Sequence, residues 1–378
     1  MNYDYLVVGA GIFGSVLAER IANDLDAEVL VIDKRAHIGG NCYSQSDKET
    51  GIEIHKYGTH IFHTSSKVVW DYIGQFAEFN SYHHQVLTTH KNKVYQMPIN
   101  LETINAFYNL NLKPFEAKVF LKKEIEKENI KSPQHLEEKA ISMIGRPLYE
   151  AFIKGYTIKQ WGRDPKELPP DIIARLPVRY NYREDYFIDA KWQGIPIDGY
   201  TKLFEKLLES PNIHVELNCD YFEHQDDLKI NHLTIYTGPI DRYFGYAHGQ
   251  LEWRTVMFEK KTAEVEDYQG TSVMSYSDLD VTYTRIHEFK HLHPERKYPN
   301  LKTVLFYETT GYDPESPYYP INTAKNKKIL QKYKNMARDE HGVIIGGRLG
   351  DYAYYDMDKA ILAALNCYKE NICQKRNK

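Results

Sequence analysis

The sequence predicts a mixed α/β fold of the α+β type, on the strength of three observations. Residues 3–41 have the pattern of a strand, a glycine-rich turn, a helix and a second strand. Apolar residues at helical spacing dominate residues 65–155, and alternating apolar and polar residues indicate strands between residues 251 and 309. At 378 residues the chain is too long for one compact core, so two or three domains are expected.

The N-terminal unit predicts a binding site for a dinucleotide. It contains, in order, the apolar run Tyr5–Val8, the glycines Gly9, Gly11 and Gly14, a helical pattern over Ser15–Ala22, the apolar run Val29–Ile32, and Asp33. In such a unit the glycines allow a tight turn and a close approach to the pyrophosphate, which faces the helix N-terminus. The acidic residue has the spacing of a carboxylate that accepts a hydrogen bond from a ribose hydroxyl. The pattern therefore indicates a Rossmann-like domain, with a purely structural glycine turn as the alternative.

The residues that follow the acid indicate which dinucleotide binds. Lys34 and Arg35 are followed by Gly39, Gly40 and Asn41, which add positive charge and a second glycine pair. This extended pattern resembles the fingerprint of an FAD-dependent family that includes amine oxidases and protoporphyrinogen oxidases, where the second pair lies along the FAD pyrophosphate. An ordinary loop turn is the alternative. The resemblance favours FAD over NAD.

Composition and charge exclude several other classes of protein. The formal net charge is −4 and no long basic run is present, so nucleic acid is not an expected partner. The four cysteines form no C-x-x-C pair and no disulfide framework. No apolar run reaches membrane-spanning length, and the first residues already begin a strand rather than a signal peptide. We therefore expect a cytoplasmic protein that does not insert into a membrane.

The remaining patterns assign elements in chain order. Predicted for the middle of the chain are helices over Val68–Ala77, Leu101–Leu110, Pro114–Asn129, His135–Gly145 and Pro147–Gly155, and a hairpin over Val86–Pro98. Predicted further on are strands over Leu251–Glu259, Ser272–Tyr276, Thr282–Phe289 and Thr303–Thr309, and a last helix over Lys359–Tyr368. We divide the chain into a nucleotide-binding domain (1–80, 192–245 and 335–378), a helical bundle (81–160) and a sheet domain with a mobile loop (161–191 and 246–334).

A histidine-bearing run, residues 51–64, could suggest a metal site. His60 and His63 have a suitable spacing on a helix, but the β-branched, glycine-interrupted run indicates a strand and a turn. No second cluster of cysteine, histidine or carboxylate residues completes a metal shell, so no metal is predicted. Polar side chains on such a turn are instead expected near the cofactor.

Residues 152–187 combine aromatic side chains with arginine. Phe152 and Tyr156 are four residues apart, so on a helix they share a face and could sandwich a flat base. The proline-rich loop after Trp161 carries Arg175 and is a candidate lid.

Two functional interpretations fit a flavin protein with these features. One is an oxidase of an amine or a ring system; the other is an enzyme that uses its flavin on a nucleotide sugar. Guanidinium groups bind phosphate oxygens in bidentate fashion, and phenols can hydrogen-bond them, which suits a diphosphate. The set consists of Arg175, Arg285, Tyr156, Tyr186, Tyr319 and Tyr354. Amine oxidases need an apolar aromatic cage instead, so the second interpretation is favoured.

Seven sequence blocks resemble bacterial UDP-galactopyranose mutases, in the same order and over essentially the whole chain. The blocks are Tyr57–Thr64, Tyr156 with Gln160–Gly162, Arg175–Arg179, Tyr236–Asp241, Tyr283–Arg285, Pro317–Pro320 and Gly346–Gly350. The resemblance implies an FAD-binding Rossmann-like domain with an inserted helical bundle and an antiparallel β-sheet domain, assembled as a homodimer. It also implies interconversion of UDP-galactopyranose and UDP-galactofuranose, through attack of reduced FAD on the anomeric carbon. Thr59 lies in a stretch that varies in this family, which leaves an N-acetylgalactosamine nucleotide open as substrate.

The same resemblance implies roles for individual residues. Phe152 and Tyr156 would stack on the uracil, Trp161 would lie in the substrate cleft, and Tyr186, Tyr319 and Tyr354 would assist a diphosphate clamp. The catalytic set would be Arg175, Arg285, His60 and His63. The cofactor would contact Gly9, Gly11, Phe13, Gly14, Asp33, Lys34, Arg35, Gly40, Asn41, His60, Ile61, Arg348, Tyr354, Asp356 and Met357.

Overall fold

A computed structural model describes residues 3–173, 178–298 and 301–373 of the chain. Arg175, the arginine of the predicted lid, lies outside the described residues. The chain forms a five-stranded sheet, a seven-stranded sheet and two small two-stranded sheets. This architecture confirms the predicted mixed α/β fold.

The five-stranded sheet is the predicted Rossmann-like unit. Its strands, in spatial order, are Val343–Ile345, Ile230–Tyr236, Tyr3–Val8, Val29–Asp33 and Ile213–Leu217. Every pairing between them is parallel. The helix Ile12–Leu25 follows the first strand and covers the sheet with fully buried Val16, Leu17 and Ile21. A parallel sheet needs such cover, which explains the continuous apolar runs of its central strands.

The turn between the first strand and its helix requires glycine at two positions. Gly9 has φ +111°, and a Cβ there would lie 2.1 Å from Thr237 Oγ1. A Cβ on Gly14 would lie 2.0 Å from the carbonyl oxygen of Gly9. Any side chain would therefore separate the helix from the strand end, where a pyrophosphate would lie.

The seven-stranded sheet contains the four strands predicted between residues 251 and 309. Its strands, in spatial order, are Tyr319–Pro320, Trp253–Ala263, Thr303–Gly311, Arg285–Glu288, Val273–Tyr276, Val86–His90 and Lys93–Met97. The pairings are antiparallel, except that Val273–Tyr276 runs parallel to Val86–His90. Through that pairing the predicted hairpin becomes part of this sheet, although our division of the chain assigned it to the helical bundle. The pairing joins segments that are far apart in the sequence, so no local sequence pattern predicts it.

The helical part lies where it was predicted, although the elements are shorter. Its helices are Leu101–Tyr108, Pro114–Glu126, Leu136–Ile144, Arg146–Leu148 and Gly155–Trp161, with a π-helical turn over Tyr149–Lys154. Leu121, Leu136, Ile141, Leu148 and Tyr149 form its buried core. This core is separate from the one around the five-stranded sheet. The helix predicted over Val68–Ala77 is Lys67–Ile73, and its Val69, Tyr72 and Ile73 pack in the core around the five-stranded sheet instead.

The remaining elements connect the sheets. The two small sheets pair Ser44–Ser46 with Glu53–His55, and Phe62–Thr64 with Trp192–Gly194. Further helices are Tyr200–Leu207, Tyr221–His224, Ile240–Tyr243, Ala324–Asp339, Gly347–Gly350 and Met357–Cys367, with a π-helical end over Tyr368–Cys373. Short 3-10 turns are Gly40–Cys42, Pro165–Glu167, Pro170–Ile173 and Phe289–Leu292. The helix Ala324–Asp339 is not among the predicted elements. Within the described ranges, none of the helices has both the length and the apolar character that crossing a membrane requires.

Candidate active site

A cavity of about 1130 Å³ joins the carboxyl end of the parallel sheet to the face of the seven-stranded sheet. Small-molecule sites in proteins usually measure about 300–1,000 Å³, so this cavity has room for a cofactor and a substrate together. It is lined by every predicted site residue within the described ranges. We call the part around Gly9, Gly11 and Asp33 the dinucleotide half, and the part around Tyr156, Trp161 and Arg285 the substrate half.

The dinucleotide half brings the two glycine pairs against each other. A Cβ on Gly40 would lie 3.0 Å from Cα of Gly11, so the two backbones form a cradle without side chains. Asp33 accepts hydrogen bonds from the backbone N–H groups of Ala10, at 2.9 Å, and Arg35, at 2.8 Å. A carboxylate offers about four lone-pair sites, so capacity remains for a ribose hydroxyl. These residues fit the adenosine diphosphate part of a dinucleotide.

The basic residues after Asp33 are held by neighbours at the edge of this cradle. Arg35 donates to Asn41 Oδ1 at 3.0 Å, and its guanidinium carbon lies 4.5 Å from the ring centre of Tyr57. Lys34 donates to the backbone carbonyl of Glu315 at 3.2 Å. Both cations therefore stay beside the place where a pyrophosphate would lie.

Arg348 lies at the other end of the dinucleotide half, inside a cage of tyrosines. Its guanidinium carbon lies 5.1 Å, 5.3 Å and 5.1 Å from the ring centres of Tyr318, Tyr319 and Tyr354. Its Nε and Nη2 atoms are buried, and neither has a hydrogen-bond partner among the described residues. Buried donors almost always have a partner, so this cage fits a ligand that brings acceptor oxygens or nitrogens. A flavin ring system carries such acceptors.

The two predicted histidines follow the cradle on the strand–turn run. His60 Nδ1 lies 2.7 Å from the carbonyl oxygen of Gly58, and the ring of His63 stacks on that of Phe187 at 3.7 Å. Burial lowers the pKa of His60 to about 4, with the Gly58 carbonyl opposing the shift. Burial also lowers the pKa of His63, although Asp356 acts in the other direction. Both rings are therefore neutral near pH 7.

The cation of the substrate half is Arg285. Its side chain is 27 % exposed, toward the cavity, and its Nε lies 3.0 Å from Glu308 Oε1. The geometry is that of an ion pair rather than an aligned hydrogen bond. Burial lowers the pKa of Arg285, but Glu308 outweighs this and holds that pKa well above its ordinary value. A permanent positive charge thus faces the cavity.

Glu308 is the anchor of this arginine and was not singled out from the sequence. Only 3 % of it is exposed, and it also accepts from Thr284 Oγ1 at 3.0 Å and lies 2.9 Å from His287 Nε2. Burial raises the pKa of Glu308, but Arg285 and His287 reverse the effect and lower it to about 2. A charged residue inside the apolar strand Thr303–Gly311 was the signal that could have identified it.

Phenols surround the cavity side of Arg285. Tyr319 and Tyr354 stack with ring centres 5.7 Å apart, and Tyr156 and Tyr186 also line the cavity. Burial raises the pKa of Tyr156, Tyr319 and Tyr354, so these hydroxyls stay protonated and can donate. The four predicted tyrosines are therefore together with Arg285, as a set of donors suited to an anion.

The predicted base-stacking residues lie where the helical part meets the cavity. Phe152 is only 3 % exposed and is packed edge-on against Tyr95, with ring centres 5.0 Å apart. Tyr156 and Trp161 follow on the next helix and line the cavity as well. Phe152 thus presents a small area to the cavity, and Tyr156 and Trp161 are the more accessible rings.

Lys159 fixes this helix to the seven-stranded sheet. Its ammonium group donates to the backbone carbonyls of Tyr276, Asp278, Val281 and Tyr283, at 2.8–3.0 Å. Desolvation lowers its pKa to about 8, with nearby aspartates opposing the shift. The segment from Tyr276 to Tyr283, which carries these carbonyls, leads into the strand Arg285–Glu288. The lysine therefore ties the helix of Tyr156 and Trp161 to the strand that carries Arg285.

His84 is another cavity residue that the sequence did not identify. Its Nδ1 lies 3.1 Å from the hydroxyl of Tyr82, and its ring meets Tyr186 edge-on at 5.5 Å. Burial lowers the pKa of His84 to about 3, so the ring is neutral. Nothing in the local pattern distinguishes it from its neighbour His83.

A group of three potential metal-ligand atoms lies away from the residues that line the cavity. Side-chain atoms of Asp267, Glu288 and His291 come within 4.8 Å of one another. The buried Glu288 already accepts from the backbone N–H groups of Tyr268 and Gln269. His60 and His63, the pair considered from the sequence, do not belong to this group.

Comparisons with known proteins agree with this geometry. Residues 151–354 match the family model of UDP-galactopyranose mutase, and residues 7–76 match that of an NAD(P)-binding Rossmann-like domain. The chain is 41 % identical to a probable UDP-galactopyranose mutase of Klebsiella pneumoniae, over 100 % of this chain and 96 % of the relative. It is 40 % identical to a dTDP-fucopyranose mutase of Escherichia coli, over 96 % of each chain.

A comparison with a solved structure extends the similarity from the sequence to the fold. A reduced UDP-galactopyranose mutase superposes with a TM-score of 0.76 at 13 % identity, over 97 % of this chain and 95 % of the other. Both of the relatives named above, which cover 96 % or more of this chain, are named as mutases, which supports a mutase over the oxidase that the sequence left open. The chain belongs to the UDP-galactopyranose mutase family, whose Rossmann-like domain implies a flavin-type cofactor.

Proposed function

We propose that this mutase converts UDP-galactopyranose into UDP-galactofuranose and back, with FAD in its reduced form as cofactor. The observation that carries the proposal is one cavity in which Arg285, its phenol neighbours and an aromatic helix adjoin a dinucleotide cradle. A nucleoside diphosphate sugar needs a base platform, a diphosphate clamp and space for the sugar. In this proposal Tyr156 and Trp161 supply the base platform, Arg285 and its phenol neighbours supply the clamp, and the rest of the cavity holds the sugar.

The two sugar forms have the same oxidation state, so the reaction needs no net electron transfer. When bound, reduced FAD supplies an electron-rich ring nitrogen that can act as a nucleophile toward the anomeric carbon. The cradle of Gly9, Gly11 and Gly40 would hold its pyrophosphate, Asp33 its ribose, and Arg348 the acceptors of its ring system. The residues around His60 and Ile61 would lie along that ring.

The protein's own groups act on the leaving diphosphate. Arg285 is charged near neutral pH, because Glu308 holds its pKa well above the ordinary value, and the same carboxylate orients the guanidinium. Protonated Tyr156 and Tyr319 can donate to the same phosphate oxygens. These contacts strengthen as the anomeric C–O bond breaks and negative charge collects on the diphosphate. They also keep UDP close for the return step.

Arg175 would supply a second charge from the proline-rich loop. The two 3-10 turns Pro165–Glu167 and Pro170–Ile173 agree with a loop rather than a continuous helix. We propose that this loop closes over the bound nucleotide, brings the guanidinium to the diphosphate and excludes water from the cavity.

The test is product analysis with the FAD-loaded protein. UDP-galactofuranose and UDP-galactopyranose are each offered with and without dithionite, and the nucleotide sugars are separated by chromatography. Interconversion in the reduced sample and none in the oxidised sample is the expected result. Equal conversion by oxidised protein would refute the role of the reduced cofactor.

The 40 % identity to a dTDP-fucopyranose mutase makes that nucleotide sugar the second candidate substrate. It belongs in the same assay, together with the N-acetylgalactosamine nucleotide, and the highest kcat/KM identifies the substrate. Oxygen consumption on an amine, with no binding of UDP, would instead support the oxidase.

We extend the proposal to a homodimer, to a cytoplasmic location and to the domain division given above, with the hairpin of Val86–His90 and Lys93–Met97 assigned to the sheet domain instead of the helical bundle. The homodimer rests on the family resemblance, the cytoplasmic location rests on composition, and the domain division rests on the sequence pattern. Light scattering coupled to gel filtration tests the dimer, which predicts about twice the chain mass of 44.3 kDa.

A further inference from the structure

A buried chain of hydrogen bonds connects the anchor of Arg285 to a side chain that lines the cavity elsewhere. Glu308 Oε2 lies 2.9 Å from His287 Nε2, and His287 Nδ1 lies 2.8 Å from the hydroxyl oxygen of Thr59. His287 is 1 % exposed and Glu308 is 3 % exposed, whereas Thr59 lines the cavity. We call these three residues the Thr59 relay.

The direction of each proton in the relay follows from its buried end. Glu308 is ionised, because it contacts Arg285, Thr284 and His287 and its pKa is about 2. An ionised carboxylate only accepts, so the hydrogen of the His287 ring must be on Nε2. Burial lowers the pKa of His287, which leaves the ring neutral and Nδ1 with a lone pair.

Thr59 must therefore donate its only hydroxyl hydrogen to His287 Nδ1. A hydroxyl has one hydrogen and two lone pairs, so the oxygen of Thr59 can offer only lone pairs to the cavity. It is fixed as an acceptor. A ligand group that meets it favourably must bring an O–H or an N–H.

The position of Thr59 along the cavity indicates which part of the ligand that group belongs to. Arg285 and His287 are two residues apart on the strand Arg285–Glu288, so their side chains leave the same face of the sheet, roughly 7 Å apart. Thr59 contacts His287 and is followed in the chain by His60, whose pKa is lowered by burial and also by both Arg348 and His287, so this turn lies between the strand of Arg285 and the Arg348 end of the dinucleotide half. If Arg285 holds the diphosphate, the Thr59 oxygen lies about one sugar unit away, toward the cofactor.

We propose that Thr59 is a specificity-determining residue, which the relay of His287 and Glu308 orients to accept a hydrogen bond from a hydroxyl of the hexose. This inference rests on the proposed function, because it takes the ligand to be a nucleotide sugar whose diphosphate is at Arg285. The enzyme would then distinguish hexoses that carry this hydroxyl from hexoses that lack it. His287 is a positioning residue that acts through Thr59.

The experiment compares Thr59→Val with Thr59→Ser in the FAD-loaded, reduced enzyme. Valine has nearly the shape of threonine without the hydroxyl, whereas serine keeps the donor to His287 and the acceptor to the cavity. With UDP-galactopyranose we expect kcat/KM of T59V to fall about tenfold, the effect of one neutral hydrogen bond, and T59S to keep most of the activity. UDP alone should bind all three proteins with the same Kd, since UDP has no sugar.

Deoxy substrates identify the hydroxyl. UDP-galactopyranose deoxygenated at C2, C3 or C6 is offered to the wild type and to T59V. For one of these substrates the two proteins should have the same kcat/KM, because the hydrogen bond is already missing. His287→Gln should lose activity to a similar extent and should add little to T59V in the double variant.

Two results would overturn the inference: unchanged turnover in T59V, or a loss in T59V that is the same for all deoxy substrates and for UDP binding. The T59V and T59S pair decides the matter even if H287Q fails to fold, because neither change leaves a buried charge unpaired. Failure of the proposed function has a different signature. If the wild type converts dTDP-fucopyranose, a 6-deoxy sugar, but not UDP-galactopyranose, the proposed substrate is wrong. In that case, a lower kcat/KM of T59V than of wild type on dTDP-fucopyranose would support a hydrogen bond between Thr59 and a hydroxyl other than the one at C6. An equal kcat/KM of the two proteins would refute the inference about Thr59.

Discussion

Replacement of Glu308 by glutamine tests the ion pair on which the substrate half is built. The change keeps the size of the side chain but removes the charge that faces Arg285 Nε at 3.0 Å. It also replaces one acceptor of His287 with an amide that can present the wrong atom. Arg285 would keep its own charge in a half-buried place without the Glu308 carboxylate as counterion, and its guanidinium would lose its fixed direction.

The structure gives the magnitude of the loss in stability. In the folded protein the pKa of Glu308 falls from an ordinary 4.5 to about 2. That difference corresponds to about 3 kcal/mol of the free energy of unfolding at neutral pH, which agrees with the roughly 3–5 kcal/mol lost on breaking a buried ion pair. Because the pKa is lowered on folding, this contribution is present above about pH 4.5 and is lost as the pH falls toward 2.

The assay is urea unfolding of wild type and E308Q at pH 7 and at pH 3.5. We expect E308Q to be less stable by about 3 kcal/mol at pH 7, and the difference to shrink at pH 3.5. The matched control is Glu288→Gln, because Glu288 is fully buried on the same strand as Arg285 but accepts only from groups outside the cavity. E288Q should lose stability while it keeps its affinity for UDP, whereas E308Q should lose both. A stability of E308Q within about 0.5 kcal/mol of wild type at pH 7 would refute the reasoning.

Three further predictions concern binding and turnover. Arg285→Ala should weaken UDP binding by about 2–5 kcal/mol, measured by quenching of tryptophan fluorescence, and a Kd equal to that of wild type would contradict the clamp. Arg175→Ala should lose most turnover while FAD content and unfolding midpoint stay normal; near wild-type turnover would show that the loop arginine is not part of the lid. Lys159→Met should reduce UDP affinity and thermal stability together, since four carbonyls lose their shared donor. Lys154→Met on the same helical segment is its control, and equal behaviour of the two variants would refute the role of Lys159.

The sequence predicted those parts of the fold that depend on local pattern. Glycines at fixed spacing between two apolar runs have one common structural use, and Gly9 and Gly14 are required there because a Cβ would lie 2.1 Å from Thr237 Oγ1 and 2.0 Å from the carbonyl oxygen of Gly9, respectively. The alternating strands and the hairpin also follow from local alternation. The pairing of Val86–His90 with Val273–Tyr276 does not, because it is decided by packing between distant segments.

The site was predictable to the extent that its residues lie in conspicuous runs. Arg285, the tyrosines and the cradle glycines were singled out from such runs, and all of them line the cavity. Glu308, His287 and His84 were not predicted, because each belongs to an otherwise ordinary strand or loop and acts through a partner far away in the chain. A buried charge becomes meaningful only when its counterion is known, and Arg285 meets Glu308 only across two neighbouring strands.

In the proposed function, one cavity holds the nucleotide sugar directly beside the cofactor. The most direct measurement is a titration of the FAD-loaded protein with UDP-galactose, followed by the flavin absorption spectrum and, in parallel, by calorimetry. We predict a saturable spectral change whose midpoint equals the calorimetric Kd, and the loss of both signals in Arg285→Ala. Calorimetric binding of UDP-galactose that leaves the flavin spectrum unchanged, or that survives in Arg285→Ala, would contradict this arrangement.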